Sequence, residues 1–155
     1  MAAGASTIHA SAVLIAARSF GAKAVLIRGP SGAGKSCLAL ALIEAARNGA
    51  LLVARLVTDD RAFLEACNGR LVVRAPAELA GLLEVRGLGV RRLPCEPLAV
   101  VGLVVDLAAS ADRMPAAAEQ QMTLQEVDLR RLAIAEGVDP LPLVLAAVGL
   151  ADGGI

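Results

Sequence analysis

Runs of aliphatic residues separated by short polar or glycine-containing breaks dominate the chain, and one stretch carries a clear helical period. Ser11 to Ala17 is rich enough in Val, Leu and Ile for a buried strand, and Arg18-Ser19-Phe20-Gly21-Ala22-Lys23 turns it into a second run, Ala24–Ile27, so a β-hairpin is predicted. From Lys35 to Arg47 the period changes: Leu38, Leu42 and Ala45 or Ala46 keep the spacing of a core-facing helical stripe, and Asn48-Gly49 supplies a stop. Leu51–Val57 is strand-like again and closes on Thr58-Asp59-Asp60-Arg61. Ala62–Cys67 and Leu71–Arg74 flank Asn68-Gly69, which suits a type I′ turn because both central residues must take positive φ. Pro76 opens a short helical segment, and Leu83 to Val90, with glycines at 87 and 89, reads as a loop or distorted strand where backbone comes close to something.

The second half is less regular. Leu98–Leu107 is a long buried strand ending at Asp106, Ala109 to Gln121 reads as a mobile connection, and Val127 to Ile134 as a strand or irregular edge. A short C-terminal helix, Leu143–Leu150, is predicted behind Pro140 and Pro142. With no repeat and no composition break, residues 1–155 read as one α/β domain, a mixed sheet with one principal helix.

Between the hairpin and that helix lies the main chemical signal. Gly29, Pro30, Ser31, Gly32, Ala33, Gly34, Lys35 and Ser36 fill the pattern G-x-x-x-x-G-K-[ST], with a strand before and a helix after, which is a phosphate-binding loop in its required context. Glycines let several N–H groups aim at one anion, and the helix start adds partial positive charge there. Lys35 is placed to reach the β and γ phosphates, and the Ser36 hydroxyl to hold Mg²⁺. An apolar strand ending in Asp59-Asp60 supplies the other half of a nucleotide site: a carboxylate to bind Mg²⁺ or to accept a proton from an attacking hydroxyl. In a regular strand these two acids point to opposite faces, so they should not share a task unless the strand has already ended.

Composition narrows the partners. The formal net charge is zero and the arginines are scattered, which disfavours a nucleic-acid partner. Apolar residues make up 57% of the chain, yet there are two Phe and no Trp or Tyr, so an adenine ring would find few aromatic partners. The longest apolar stretches, Leu98–Val105 and Leu141–Ala151, are too short to cross a bilayer, and Met1-Ala2-Ala3-Gly4 lacks the basic start of a signal peptide; a soluble cytoplasmic protein is expected. Cys37, Cys67 and Cys95 fit neither a disulfide framework nor a metal knuckle and read as reduced thiols. Cys37, at a helix start, is read as a small buried residue in preference to a reactive thiol. His9, the one histidine, reads from composition as a surface or strand-edge residue.

Taken in order, His9-Ala10, Gly29–Ser36, Asp59-Asp60-Arg61, Glu84-Val85-Arg86-Gly87-Leu88-Gly89 and Asp112-Arg113 resemble the catalytic core of the HPr kinase/phosphorylase family. The E-[IV]-R-G-L-G block is the most specific part, and the resemblance is good over roughly residues 8 to 113. It implies a P-loop kinase core like that of phosphoenolpyruvate carboxykinase, ATP as phosphoryl donor with Mg²⁺, a serine of the carrier protein HPr or of an HPr-like carrier as acceptor, and a hexamer. It also implies the roles: Lys35 and the loop on the phosphates, Ser36 and Glu84 on Mg²⁺ with Asp59 orienting a Mg²⁺ water, Asp60 as base toward the serine hydroxyl, and His9 and Arg113 as the remaining catalytic pair. The N-terminal domain of longer members is expected to be absent, as in the short forms of the family. Extra residues separate His9 from the loop and Ser36 from the acid pair, and the family's dephosphorylation motif ending in Gly-Arg-Asn has no match in Glu126–Ile134, which weighs against phosphorolysis. Two other functions fit the loop: an ATP-binding sensor, which would need Lys35 and Ser36 but not Asp60, and a metabolite kinase, which would want more lid arginines than Arg91-Arg92 and Arg113 offer.

Overall fold

The computed structural model describes residues 6–149. Its centre is the predicted hairpin: β2 (Ala10–Ala17; β1 is the short Ser6–Ile8) pairs antiparallel with β3 (Gly21–Arg28) from Ala10 opposite Arg28 to Ala17 opposite Gly21. Helix α1 (Lys35–Arg47) comes next, and Asn48 and Gly49, the latter at φ 84°, end it as the sequence requires. β4 (Val53–Thr58) pairs with β2, and β5 (Ala62–Cys67) and β6 (Arg70–Arg74) form the second hairpin, whose turn residues Asn68 and Gly69 both take positive φ. β7 (Leu82–Val85) and β8 (Gly89–Arg92) form a separate two-stranded ribbon, β9 (Leu98–Leu107) is the long strand, and β10 (Gln121–Leu124), β11 (Val127–Ile134) and α2 (Pro140–Gly149) complete the order.

The nine-stranded sheet runs β1-β5-β6-β9-β3-β2-β4, with β11 also on β9 and β10 on β11. β9 is parallel to both β3 and β11, whereas the remaining pairings are antiparallel, so the sheet is mixed as predicted. One face packs against the helices through Val13, Ile15, Val25, Ile27, Leu103 and Val105 with Leu38, Leu42 and Val144; the other buries Ala10, Ala12, Leu26, Val73, Val101 and Val104.

β9 serves both faces by means of a bulge. Its register with β3 jumps from Ala24 opposite Val101 to Val25 opposite Leu103, leaving Gly102 unpaired. The alternation therefore flips: Ala99 and Val101 join one core, Leu103 and Val105 the other. A side chain at 102 would force its neighbours aside, since its Cβ would stand 2.7 Å from both Phe20 and Lys23 side-chain atoms.

Several expectations need correction. Leu83 to Val90 is a regular hairpin and not a distorted strand, with Gly87 and Gly89 at φ 86° supplying the reversal between β7 and β8. The 109–121 connection carries a turn of 3-10 helix at Ala117–Gln120 and leads straight into β10, a strand whose polar residues Gln121 and Thr123 hid it. α2 begins at Pro140, not Leu143: prolines in the first turn cost nothing there because their N–H groups would be unpaired anyway. The expected last residue, Leu150, lies outside the described residues.

Across β3, β9 and β11, an Arg-Asp-Arg cluster ties the sheet together close to the loop. Arg28 grips Asp106 with two bonds, Nε to Oδ1 at 2.8 Å and Nη2 to Oδ2 at 2.9 Å, and Arg131 Nε donates to Oδ2 at 2.6 Å. Burial alone would raise the Asp106 carboxyl, but the hydrogen bonds and charges of the two guanidinium groups hold it below its ordinary value. A lowered carboxyl stabilises the fold above the unfolded-state pKa, about 3.9, and the contribution is lost as pH falls through the folded value. Asp106→Asn is expected to lower stability by about 2 kcal/mol at pH 7, leaving two partly buried cations without their counter-charge. The deficit should shrink as pH falls below about 4, where the wild type loses the same charge. Thermal unfolding followed at pH 7 and pH 3 checks both statements; an equal deficit at the two values would contradict them.

Candidate active site

The loop Gly29–Ser36 leaves the end of β3 and enters α1. Gly32 and Gly34 take φ 84° and 99°, which the tight cradle needs. Gly29 answers a different demand: a Cβ there would press to 3.2 Å on Ala33 and on Leu107, so the loop lies directly against the end of β9. Lys35 Nζ is held back over the loop by donating to Gly29 O at 2.8 Å and Pro30 O at 3.1 Å. This cradle of N–H groups with a lysine at its mouth suits a polyphosphate.

β4 ends at Thr58, and the turn after it separates the two acids more sharply than strand alternation would. Arg61 N donates to Asp59 O at 2.8 Å, closing a three-residue turn around Asp60, which sits at φ 68°. A left-handed non-glycine residue in such a turn is strained and persists because its surroundings hold it: Ala10 N donates to Asp60 O, and Asp60 N to Ser11 Oγ. The Asp59 side chain turns inward and the residue is 5% exposed, whereas the Asp60 side chain is 71% exposed. His9 Nδ1 stands 3.9 Å from Asp60 Oδ1, so the histidine and this acid meet at the rim.

Asp59 is the hub. Its Oδ1 accepts from Ser11 Oγ and from Ser36 Oγ, each at 2.7 Å, and its Oδ2 accepts from Glu84 N at 3.2 Å. One carboxylate thereby ties β2, the start of α1 and β7 together. Ser11, fully buried, escapes notice in the sequence because it looks like a small interruption of an apolar strand. A buried hydroxyl in such a run must find a partner, and that is the signal that could have singled it out.

A cleft of about 310 Å³ opens over the loop, lined by Lys35, Ser36, Cys37, Asp60, Glu84 and Arg86 among others. The β7–β8 hairpin thus brings Glu84 to the loop, 25 positions beyond Asp59, and with it Arg86. The Arg86 guanidinium lies 3.7 Å from where a Cβ on Gly32 would stand, and it makes no hydrogen bond or ion pair among the described residues. In the sequence, Arg86 stands inside the family-like motif without a task of its own. Cys37 is exposed in this cleft, which corrects the expectation of a buried residue: α1 turns Leu38 and Ala39 inward and Cys37 out. Arg113 is exposed in the connection after β9 and, among the described residues, makes no hydrogen bond or ion pair with the cleft.

The oxygen donors present suit a hard divalent cation that keeps waters and phosphate oxygens in its shell: one hydroxyl, Ser36, with the Asp59 and Glu84 carboxylates nearby. Among the described residues no cluster of three or more acidic, histidine or cysteine side chains forms a ready-made metal cage. A roomier cavity, about 710 Å³, lies away from the loop between β11, α2 and the 110–120 connection and shares no residue with the cleft.

Comparison with known proteins gives relatives by sequence and by fold. HPr kinase/phosphorylase of Clostridium beijerinckii is 46% identical over 66 residues, 43% of this chain and 20% of that protein, and the Clostridium tetani protein of the same name is 41% identical over 70 residues, 45% and 21%. The matched part of the chain thus spans about a fifth of the length of these curated relatives. The Hpr(Ser) kinase/phosphatase structure from Coxiella burnetii superposes with a TM-score of 0.69 over 92% of this chain and 93% of that one, at 23% identity, which shows a shared fold. A family model described as the HPr Serine kinase C-terminal domain matches residues 3–94, the stretch that holds His9, the phosphate loop, the acid pair and the Glu84 hairpin, so the chain belongs to the HPr serine kinase C-terminal domain family.

Proposed function

We propose that the protein is an ATP-dependent serine kinase whose acceptor is the phosphocarrier HPr or an HPr-like carrier. The observation that carries this reading is the division of labour between the two acids: Asp59 is buried and consumed by three hydrogen bonds, whereas Asp60 is presented at the rim of the cleft that Lys35 also lines. A carboxylate that accepts no hydrogen bond from the described residues can take a proton from an incoming hydroxyl. In the forward step the serine oxygen forms a bond to the γ-phosphorus, the bond to the β,γ-bridging oxygen breaks, ADP leaves and Asp60 receives the serine proton. Lys35 and Arg86 supply the positive charge that balances the transferred group, and His9 beside Asp60 positions that carboxylate or shares its proton. Mg²⁺, held by Ser36 and Glu84 with Asp59 orienting its water, would neutralise phosphate charge when bound.

Arg113 enters only through the family resemblance, as a further clamp on the phosphoryl group; its exposed loop would have to fold toward the cleft for it to act. The kinase direction is the one assigned, since Glu126–Ile134 contains neither Gly nor Asn and runs into the regular strand β11. A hexamer and a cytoplasmic setting belong to the same family reading; among the described residues no helix is long and apolar enough to cross a membrane. The test is incubation with γ-labelled ATP, Mg²⁺ and HPr from the same cell. Acid-stable label on a serine of HPr is the expected result, and ATP binding with no transfer to any carrier protein would replace the kinase by an ATP sensor.

A further inference from the structure

Among the described residues, the buried polar side chains are Ser11, Thr58 and Asp59, and all three surround the turn that presents Asp60. Burying a hydroxyl or a carboxylate is costly unless its hydrogen bonds are made, so their convergence on one turn calls for a physical reason. We infer that the hydroxyls of Ser11 and Thr58 are positioning groups: together they clamp the backbone of residues 58–61 and so aim Asp60 at the cleft. The inference rests on the kinase reading above, in which Asp60 takes the serine proton, and states what keeps that acid in place.

The turn needs holding. β4 carries a bulge at Val57, because its register with β2 steps from Val13 opposite Leu56 to Ala12 opposite Thr58. The strand ends at Thr58, and two residues later Asp60 takes φ 68°, a conformation that side chains disfavour. Ser11 meets both acids through one atom: its Oγ donates its single proton to Asp59 Oδ1 at 2.7 Å and accepts from Asp60 N at 3.3 Å. With Ala10 N donating to Asp60 O at 3.1 Å, β2 holds both backbone polar groups of Asp60. Thr58 Oγ1 donates to Arg61 O, and Arg61 N to Asp59 O at 2.8 Å, which ties the start of the turn to its end.

None of these bonds engages the Asp60 carboxylate, which stays 71% exposed beside His9. A fixed backbone under an open carboxylate is what a positioned base requires, since a misplacement of about 1 Å can cost about 10² in rate. Asp59 Oδ1 also accepts from Ser36 Oγ, so the Ser11 hydroxyl joins the base to the first turn of the phosphate-loop helix. The two halves of the site are thereby tied together from the buried side.

Transfer from γ-labelled ATP to HPr, measured as kcat and KM on the full chain, tests the clamp. Thr58→Val keeps the shape and removes the hydroxyl; it should lower kcat by about tenfold and change KM for ATP by less than about threefold. Thr58→Ser, which keeps the hydroxyl, should recover most of that loss. Ser11→Ala is the second variant: kcat should fall at least as far, and the Asp60 N–H should exchange with solvent about tenfold or more faster than in the wild type, as read by NMR. The decisive comparison uses Asp60→Asn as background, where adding Thr58→Val should cost less than about twofold because the base it positions is gone. Equal losses in the two backgrounds would make Thr58 a structural residue and overturn the clamp. Full kcat in both hydroxyl-free variants, or unchanged Asp60 exchange in Ser11→Ala, would overturn it as well. Circular dichroism confirms that each variant is folded under the assay conditions. A wild type that transfers no label to HPr would instead overturn the kinase reading, while exchange at Asp60 still decides whether Ser11 holds the turn.

Discussion

Asp60→Asn is expected to lower phosphoryl transfer to HPr by about 10² or more, the usual scale for a positioned base, while Mg-ATP binding stays within a few-fold. A serine hydroxyl is a poor nucleophile until its proton has somewhere to go, and asparagine keeps the shape of Asp60 without accepting that proton. The backbone does not confuse the result. At φ 68° asparagine is at least as well accommodated as aspartate, so the three-residue turn and the Ser11 and Ala10 hydrogen bonds to it should survive. Transfer from labelled ATP and calorimetric ATP binding, measured on the same preparations, check the split. A parallel fall in Mg²⁺-dependent ATP binding would move Asp60 into the metal site. An indifferent variant of a protein that binds ATP and phosphorylates no carrier would favour the sensor.

Lys35→Ala should cut ATP turnover by about 10³, at the upper end of what loss of one charged contact to the transferring group costs. The ammonium already sits over the loop on the Gly29 and Pro30 carbonyls, so an arriving β,γ-phosphate replaces those acceptors without a search by the side chain. Folding should be spared: alanine is a strong helix former, and the buried stripe of α1, Leu38, Ala39, Leu42, Ile43 and Ala45, is untouched. Circular dichroism confirms the fold and a turnover assay measures the loss. Turnover equal to the wild type would separate the loop from the reaction.

The Asp60→Asn prediction treats Asp59 as fixed and Asp60 as free, and that distinction is tertiary. The sequence after β4 offers two identical side chains, with nothing local to say which turns inward. Only when Ser11 of β2, Ser36 of α1 and Glu84 N of β7 converge is one carboxylate buried with three donors. Those donors lie 48, 23 and 25 positions away in the chain.

What the sequence determined by itself was whatever depends on near neighbours. The hairpin, the loop with its lysine, the extent of α1 from Lys35 to Arg47 and the Asn68-Gly69 turn were all legible, because glycine φ values, helix stops and hydrophobic period act within a few residues. The family motif also marked Glu84 as a partner of the loop, and the β7–β8 hairpin does bring it there. What the tertiary structure decided depends on distant segments. The bulge at Gly102, hidden in an unbroken apolar run, lets one strand feed two cores, and the approach of the Phe20 and Lys23 side chains favours glycine there. β10 has too few apolar residues to announce itself and exists because β11 offers it an edge. Arg86 reaches the loop and Cys37 opens to the cleft because packing orients the ribbon and the helix. Local pattern sets which element forms; burial and the pairing of polar groups, which need the whole chain at once, set which side chain faces the chemistry.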